Sequence, residues 1–121
     1  MKISFVFPAA IFLTLVSIGC GGSSSNSCFI TAIVTPASAT ADHNAASPGN
    51  QVQFSTSSTV SGNCPLIADT LGTWSTSDPG NTSISGAGLA TCLSATTTPA
   101  TISNSGTVRG RKFTSATLTC R

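Results

Sequence analysis

From residue 28 onward, the chain alternates short runs of apolar and β-branched residues with clusters of Gly, Pro and Asn. Runs of this kind, rich in Thr, Val, Ile and Phe, are typical of β-strands. In the second run Val52, Phe54 and Thr56 alternate with polar residues, so one face of that strand is apolar. The predicted strands cover residues 29–35, 51–56, 71–77, 82–85, 88–93, 100–103 and 113–120. About seven short strands separated by turn residues predict an all-β sandwich.

Two of the predicted turns carry a Pro-Gly dipeptide between polar residues. They are Ser-Pro-Gly-Asn at 47–50 and Asp-Pro-Gly-Asn at 78–81. Pro presets φ for the second position of a turn, and Gly accepts the positive φ that a type II turn needs at the third. We therefore expect a type II turn at both places.

A different pattern precedes residue 20, where an uncharged apolar stretch follows Met1 and Lys2. The stretch ends in small residues before Cys20, and the polar run Gly-Gly-Ser-Ser-Ser-Asn-Ser follows at 21–27. A short positive start, an apolar core and small residues are the layout of a secretory signal. With Cys20 directly behind it, the segment resembles a bacterial lipoprotein signal peptide. The resemblance implies cleavage before Cys20, a diacylglyceryl group on its sulfur and often a further acyl chain, such as palmitate, on its new amino terminus.

Two other interpretations of the leader stay open at this point. An uncleaved transmembrane helix needs about 20 apolar residues, whereas this stretch is shorter, contains Pro8 and has no Lys or Arg behind it. An ordinary signal peptide would leave Cys20 as a free thiol. The lipoprotein pattern usually has Leu three residues before the Cys, where this chain has Ser17, which the pattern tolerates. Gly21 resembles the outer-membrane sorting pattern of bacteria with two membranes.

The leader divides the chain of 121 residues into three parts. We expect a signal-peptide helix at 1–19, the lipidated Cys and a flexible Gly/Ser tether at 20–27, and one folded domain at 28–121. In that domain four cations oppose three aspartates, a net charge of +1. This charge argues against nucleic-acid binding, which needs a basic footprint.

The cysteines support the same division, because the chain has five of them. If Cys20 carries lipid, an even number remains for disulfides: Cys28, Cys64, Cys92 and Cys120. Disulfides persist in the oxidising compartments to which an export signal leads, and they reinforce a domain whose size limits its core. Four cysteines allow three connectivities, and the residues alone do not choose among them.

Several segments resemble bacterial Ig-like domains, group 2. Residues 33–40 look like the opening strand and kink of that family, and residues 48–54 like the entry to its second strand. The most specific match is Thr-Trp-Ser-Thr-Ser-Asp-Pro at 73–79, which is similar to the third strand, and residues 88–91 and 116–119 complete the pattern. The chain departs from the family between Cys92 and Phe113. The resemblance implies an Ig-like β-sandwich with Trp74 in its core.

The resemblance also implies a disulfide pairing. The first two strands of the family run antiparallel, so Cys28 before the first and Cys64 behind the second would share one end of the sandwich. Cys92 and Cys120 end two strands that run in the same direction, so they would share the other end. We therefore expect the disulfides Cys28–Cys64 and Cys92–Cys120.

Residues that could carry chemistry are few in this domain. A catalytic triad needs a nucleophile and an acid that converge on a His, and the only His is His43, beside Asp42 in a predicted loop. No Gly-x-Ser-x-Gly motif accompanies it, and the cysteines form no Cys-x-x-Cys pair of the kind that binds zinc. We therefore expect His43 to be a solvated loop residue, and we expect no catalytic residue, cofactor or metal site.

The only concentrated charge is Arg109-Gly110-Arg111-Lys112, which falls between the last two predicted strands, at the expected tip of a hairpin. A functional interpretation of Arg109, Arg111 and Lys112 is contact with an anionic glycan, phospholipid head groups or an acidic partner. The alternative, which we favour from sequence alone, is a solubilising hairpin whose cations discourage edge-to-edge strand pairing.

Together these features predict a non-enzymatic, lipid-anchored Ig-like module outside the cytoplasm of a bacterium, held at the outer membrane if there are two membranes. Such a module would bind a protein or carbohydrate partner of the cell envelope through loops or an exposed sheet face, and the family resemblance implies adhesion or surface interaction. The alternative is a structural spacer or accessory subunit of an envelope assembly, which would dock through the edge of a sheet. A hydrolase is a third class, for which the sequence contains no motif.

Overall fold

The structure, a computed structural model, describes residues 27–121. The predicted signal-peptide helix, Cys20 and the tether up to residue 26 lie outside the described residues. The predictions for that part of the chain therefore rest on the sequence.

The described chain is all-β and contains no helix. Short strands follow one another with turns between them, as the alternation of β-branched runs and turn residues predicts. In chain order they are β1 (Cys28–Thr35), β2 (Ser38–Ala41), β3 (Gln51–Gln53), β4 (Ser55–Gly62), β5 (Trp74–Thr76), β6 (Thr82–Ile84), β7 (Leu89–Cys92), β8 (Ala100–Asn104), β9 (Thr107–Val108), β10 (Arg111–Lys112) and β11 (Ala116–Cys120).

These strands form two larger sheets and two strand pairs. One sheet has the order β2-β11-β8-β5, and the other has the order β3-β7-β6. The two pairs are β1-β4 and β9-β10. Every pairing is antiparallel except that of β2 with β11. The arrangement is consistent with a β-sandwich.

A single residue, Phe54, separates β3 from β4. Its side chain is fully buried, and its main-chain N–H donates to the Gly88 carbonyl at 2.8 Å. Before Phe54 the chain pairs with β7, and after it the chain pairs with β1 over eight residues. This stretch of chain therefore connects the three-stranded sheet to the β1-β4 pair.

The core consists of apolar side chains from both sheets packed into one cluster. Its largest fully buried members are Phe54, Ile102 and Leu118. Trp74 is half-buried and packs against this cluster, which agrees with the core role predicted for it. Gly88 is required beside it, because a Cβ there would meet the Phe54 carbonyl at 2.4 Å and the Trp74 ring at 2.9 Å, and its φ is 83°.

The domain has two ends, which we name after their cysteines. The Cys28 end comprises the start of β1, the end of β4, the loop 63–73 and the β9–β10 hairpin, because Cys28 pairs with Gly62 and lies next to Cys64. The Cys120 end comprises the ends of β2, β7 and β11, together with the loops 42–50, 78–81 and 93–99. The chain enters the domain at the Cys28 end.

Two predicted strands are shorter than the sequence indicates. The strand expected at 71–77 covers only Trp74–Thr76, because Gly72 lies against Gly106 and the Asn104 side chain, outside a regular ladder. The strand expected at 113–120 begins at Ala116. The residues before it contact β1 instead, since the N–H of Thr114 donates to the Ala32 carbonyl at 3.0 Å. In the other direction, β4 continues to Gly62, past the predicted limit at residue 56.

The prediction of two type II turns is wrong. Neither Gly49 nor Gly80 has a φ in the left-handed region, which the third position of a type II turn requires. In the second turn the Asp78 carbonyl accepts the N–H groups of both Asn81 and Thr82, at 3.3 and 2.9 Å. These hydrogen bonds, to the third and fourth residues along the chain, resemble those of one turn of a helix. In such a turn Gly80 needs no positive φ.

Candidate interaction surface

The basic residues lie on a tight hairpin, as predicted. Val108 of β9 faces Arg111 of β10, which leaves only Arg109 and Gly110 in the loop. Both have positive φ, 46° and 76° respectively, which defines a type I′ turn. The right-handed twist of two strands favours this turn, and Gly is common at its second position. The hairpin therefore presents Arg109, Arg111 and Lys112 within one unit of six residues, 107–112.

The loop 63–73 supports this hairpin from one side. The main-chain N–H of Arg109 donates to Asp69 Oδ1 at 2.7 Å, and its Nη1 donates to the Pro65 carbonyl at 3.2 Å. A Cβ on Gly110 would lie 3.5 Å from the side chain of Ile67, so the turn also packs on the loop. These contacts hold Arg109 half-buried, whereas Arg111 and Lys112 point into solvent.

The same loop exposes large apolar side chains around the hairpin. Leu66 is 91% exposed and Leu71 104% exposed, and Ile67 is about half exposed. With Asp69 and Arg109, Leu66 and Ile67 line an open depression of about 390 Å³. Exposed apolar residues are ordinary when they are scattered, but here they share one loop beside a group of cations.

The β1–β4 pair brings further apolar surface to this end. Phe29 is 66% exposed on one face of the pair, and Val60 is exposed on the other. The disulfide Cys28–Cys64, with a Cα–Cα distance of 4.8 Å, joins this pair to the loop that carries Leu66. Five of the seven exposed large apolar residues in the described part of the chain therefore lie at the Cys28 end, and Leu93 lies at the other.

Charge is also divided between the two ends. Arg109, Arg111 and Lys112 face only one carboxylate at the Cys28 end, that of Asp69, so the net charge there is +2. At the Cys120 end the charged side chains of the described residues are those of Asp42, Asp78 and Arg121, which give a net charge of −1. The domain therefore has a basic, apolar end and a weakly acidic, polar end.

The predicted disulfide pairing is confirmed at both ends. The structure contains Cys28–Cys64, and it contains Cys92–Cys120 with a Cα–Cα distance of 5.6 Å. The second bond connects β7 of the three-stranded sheet to β11 of the four-stranded sheet, and both of its cysteines are buried. It therefore cross-links the two sheets through the core, whereas the first bond lies near the surface.

His43 lies in a loop, as predicted; the loop belongs to the Cys120 end, and His43 is more constrained there than a solvated loop residue. It is half-buried, and its Nδ1 lies 2.9 Å from the main-chain oxygen of Arg121. An oxygen of this kind can only accept, so Nδ1 carries the proton. Asp42 Oδ1 instead accepts from the main-chain N–H of Asn44 at 2.9 Å. His43 therefore fixes the last strand to the turn 42–50, and Asp42 orders the turn itself.

Two further properties concern the described residues as a whole. Residues 27–121 contain no helix with the length and hydropathy that a membrane span requires. Within the same range, no group of three His, Cys, Asp or Glu side chains could hold a metal ion.

Sequence reasoning does not identify the apolar part of this surface. The strand predicted at 71–77 includes Leu71, and no role is predicted for Leu66 and Ile67, because apolar residues are expected inside a domain. A signal was present: Pro65 and Gly72 bracket a short segment without the two-residue period of a strand. No protein-family model and no curated protein matches the chain.

Proposed function

We propose that this chain is a lipid-anchored, extracytoplasmic module with a non-enzymatic binding role on a bacterial cell envelope. The observation that carries the proposal is the use of the five cysteines. Four of them form two disulfides, which persist in an oxidising compartment. The fifth is Cys20, directly behind an apolar leader and in front of a Gly/Ser run, where a lipoprotein carries its lipid.

The strand order supports an Ig-like identity for the domain. Ig constant-type domains have one sheet of strands ABED and another of CFG. Here β1 corresponds to A, and β3 and β4, which are separated by a single residue, together correspond to B. β7 and β6 then follow in the positions of E and D. β5, β8 and β11 are ordered as C, F and G, and β2 extends that sheet beside β11. Trp74 on β5 lies where such domains place the core tryptophan of strand C.

The Cys120 end is the better surface for a partner, because the tether leaves from the opposite end. Its loops are polar and well ordered by hydrogen bonds. Asn81 accepts a hydrogen bond from the Ser94 hydroxyl, and its carbonyl accepts the N–H of Leu93 at 2.8 Å. The N–H of Thr96 donates to the Cys120 carbonyl at 2.9 Å, and the N–H of Cys120 donates to the Thr96 hydroxyl at 3.0 Å. Loops held in this way bind a partner with a small loss of conformational entropy.

Mass spectrometry of the matured protein tests the anchor. We expect loss of residues 1–19, an added diacylglyceryl mass on Cys20 and two disulfides. A Cys20→Ala variant is the matched control, since it keeps the other four cysteines and should lack the acyl mass. A mature protein with an unmodified Cys20 thiol would overturn the anchored form of the proposal.

Photo-cross-linking in intact cells tests the binding role. A photoreactive residue at Thr97, in the loop 93–99, should cross-link to a protein or carbohydrate of the envelope. The same residue at Ser57, on β4, serves as the comparison, because it is exposed and pairs with Ile33 within the β1–β4 pair, outside the loops of the Cys120 end. Cross-links at Ser57 and none at Thr97 would show that the partner binds at the edge of the β1–β4 pair and not at the loops of the Cys120 end.

That outcome is the second candidate function, a spacer or accessory subunit that docks through a strand. One observation favours it: among residues 27–121, β1 is the only strand that pairs with the eight-residue β4. Every residue of β4 is exposed, and none carries a charge that would discourage pairing. Its open edge could therefore accept a strand from another chain.

A further inference from the structure

We propose that the Cys28 end is a membrane-docking surface, which lies on a bilayer of anionic phospholipid. Its apolar residues enter the head-group region while its cations bind the lipid phosphates. The residues that carry this role are Phe29, Leu66, Leu71, Arg109, Arg111 and Lys112. The inference rests on the proposed lipid anchor, and it adds a second attachment of the folded domain to the same membrane.

The first argument is the position of the tether. Residues 20–28 can span at most about 28 Å when fully extended. The chain enters the domain at Cys28, so a lipid on Cys20 holds the Cys28 end, and no other, close to the bilayer. Gly/Ser-rich sequences of this kind behave as random coils, so a tether of this composition would let that end reach the surface. The local concentration of lipid head groups around this end is therefore high.

The second argument is charge complementarity. The Cys28 end has a net charge of +2 and the Cys120 end −1, so an anionic surface attracts the first and repels the second. Arg111 and Lys112 are exposed and occupy successive positions on one strand, so their side chains leave β10 on opposite sides of the hairpin. Arg109 lies at the tip between them. The hairpin can therefore bind phosphates over a wide range of tilts.

The third argument is the apolar surface around those cations. A protein that lies on a membrane buries its apolar residues about 5–10 Å deep, at the boundary of head groups and acyl chains. Leu66 and Leu71 are more than nine-tenths exposed and Phe29 is two-thirds exposed, so they can enter the head groups without any rearrangement. Contact with the bilayer would bury this surface.

The fourth argument concerns the choice of occupant. An acidic protein or glycan would satisfy the cations but would leave most of the apolar side chains in water. A second copy of this end would bring like charges together. A bilayer supplies phosphates and an apolar layer at once, and lipid together with a basic patch is one of the combinations that attach proteins stably to membranes.

The test uses the matured full chain, reconstituted into phosphatidylcholine vesicles with or without phosphatidylglycerol, with phospholipids brominated on their acyl chains as quenchers. Leu71→Trp reports on the Cys28 end, and Leu93→Trp, at the other exposed leucine, is its matched control. Both are made with Trp74→Phe, so that each protein has one tryptophan. Thermal unfolding followed by circular dichroism establishes that each variant is folded.

We expect the brominated lipids to quench the tryptophan at 71 and to leave that at 93 unquenched. Quenching should require phosphatidylglycerol and should fall with salt, which screens the cations. Arg111→Ala with Lys112→Ala should lower the ratio of docked to undocked domains about 30-fold, because each cation near an anionic surface contributes about fivefold. Thr117→Ala with Ser115→Ala is the control pair, since both residues are exposed and uncharged.

Equal quenching at 71 and 93, or quenching at 71 that ignores phosphatidylglycerol and salt, would overturn the inference. The anchor is scored separately, by flotation of the chain with vesicles of phosphatidylcholine alone. If the chain carries no lipid, it fails to float, and the proposed function fails. The quenching of added phosphatidylglycerol vesicles then still decides whether the Cys28 end docks. Loss of quenching with retained capture of an acidic polysaccharide would assign the patch to that ligand.

Discussion

The two ends of this domain carry the same kinds of stabilising feature in opposite environments. Each has one disulfide, a set of connecting loops and a group of Thr hydroxyls. At the Cys120 end the disulfide and a Thr hydroxyl are buried among apolar side chains from both sheets. At the Cys28 end the corresponding groups lie near the surface, and large apolar residues face outward.

This difference places the more deeply buried stabilising groups at the Cys120 end, and it leaves at the Cys28 end the exposed apolar residues on which the proposed membrane docking rests. Burial increases the contribution of a covalent or polar feature, because its loss then leaves a cavity or an unpaired group. Where an exposed hydrogen bond or apolar contact is lost, water takes its place at small cost. We therefore expect equivalent substitutions to have larger effects at the Cys120 end, the disulfides showing the largest effect and the basic hairpin the smallest.

The largest effect concerns the disulfides. The two loops are similar, 36 and 28 residues, so the chain-entropy contribution is about 3–4 kcal/mol for each bond. Cys92→Ala with Cys120→Ala also removes two buried sulfur atoms, which should bring the loss of unfolding free energy to about 4–5 kcal/mol. Urea unfolding followed by the fluorescence of Trp74 measures it.

The matched variant is Cys28→Ala with Cys64→Ala. Since the entropic terms nearly cancel between the pairs, the difference isolates burial, and we expect this variant to lose about 1–2 kcal/mol less. Equal losses would show that burial of the sulfur atoms is irrelevant and that the two ends are energetically alike.

The second comparison uses one substitution at two leucines. Leu118→Ala removes a side chain with 0% exposure from the core and should cost about 3–4 kcal/mol. Leu71→Ala removes a fully exposed side chain and should change stability by less than about 0.5 kcal/mol. Thermal or urea unfolding of both proteins gives the two values. A cost above about 1 kcal/mol for Leu71→Ala would mean that this residue packs against the domain.

These leucines also show what the sequence can predict. Leu118 shares one face of its strand with Ala116 and Cys120, and polar residues alternate with them. That two-residue period predicts that Leu118 is buried. Leu71 stands in a segment without a period, so its hydrophobicity indicated a strand, whereas the structure leaves it in solvent beside Gly72. Exposure of an apolar residue depends on which element covers it, and that is a tertiary property.

The disulfide pairing and the turn types likewise differ in how far the sequence predicts them. The pairing follows from strand direction, which the family resemblance implies, and it is confirmed. The turn types depend on whether Gly49 and Gly80 adopt positive φ, and both Pro-Gly turns avoid it. Pro-Gly accepts several turn geometries, so the dipeptide locates a turn without determining its type. The location of the basic hairpin is confirmed, because its strands flank it closely in sequence. The loop that carries its apolar neighbours is distant in sequence, and its Asp69 contacts Arg109 across a separation of 40 residues.

The third comparison concerns buried and exposed hydroxyls. Thr82 is fully buried; its Oγ1 donates to the Asp78 carbonyl at 2.7 Å and lies 2.6 Å from the Thr76 hydroxyl. Thr82→Val leaves the Thr76 hydroxyl without this partner and should cost about 1–2 kcal/mol. Thr70 makes a similar hydroxyl pair with Thr107 at 3.0 Å but is exposed. The Thr70 hydroxyl also accepts the Thr107 N–H at 2.9 Å. Thr70→Val should nevertheless cost less than about 0.5 kcal/mol, because water replaces both lost bonds at this exposed site. A larger loss for Thr70→Val in urea unfolding would contradict the comparison.

The smallest effect separates stability from contact within the Cys28 end itself. Arg109 has a φ of 46° at the first position of a type I′ turn, where Asn is strongly preferred before Gly. Arg109→Asn relieves the backbone and loses one exposed hydrogen bond to the Pro65 carbonyl. We expect unfolding free energy to stay constant or to rise by up to about 0.5 kcal/mol.

The same variant should dock to phosphatidylglycerol vesicles about fivefold more weakly, because it lacks one cation. Arg121→Asn, at the Cys120 end, is the control that removes a cation without either effect. If Arg109→Asn lost about 1 kcal/mol or more, the arginine would be structural. If it gained stability while docking weakened, then this position retains a cation at the expense of the turn, as a docking surface requires.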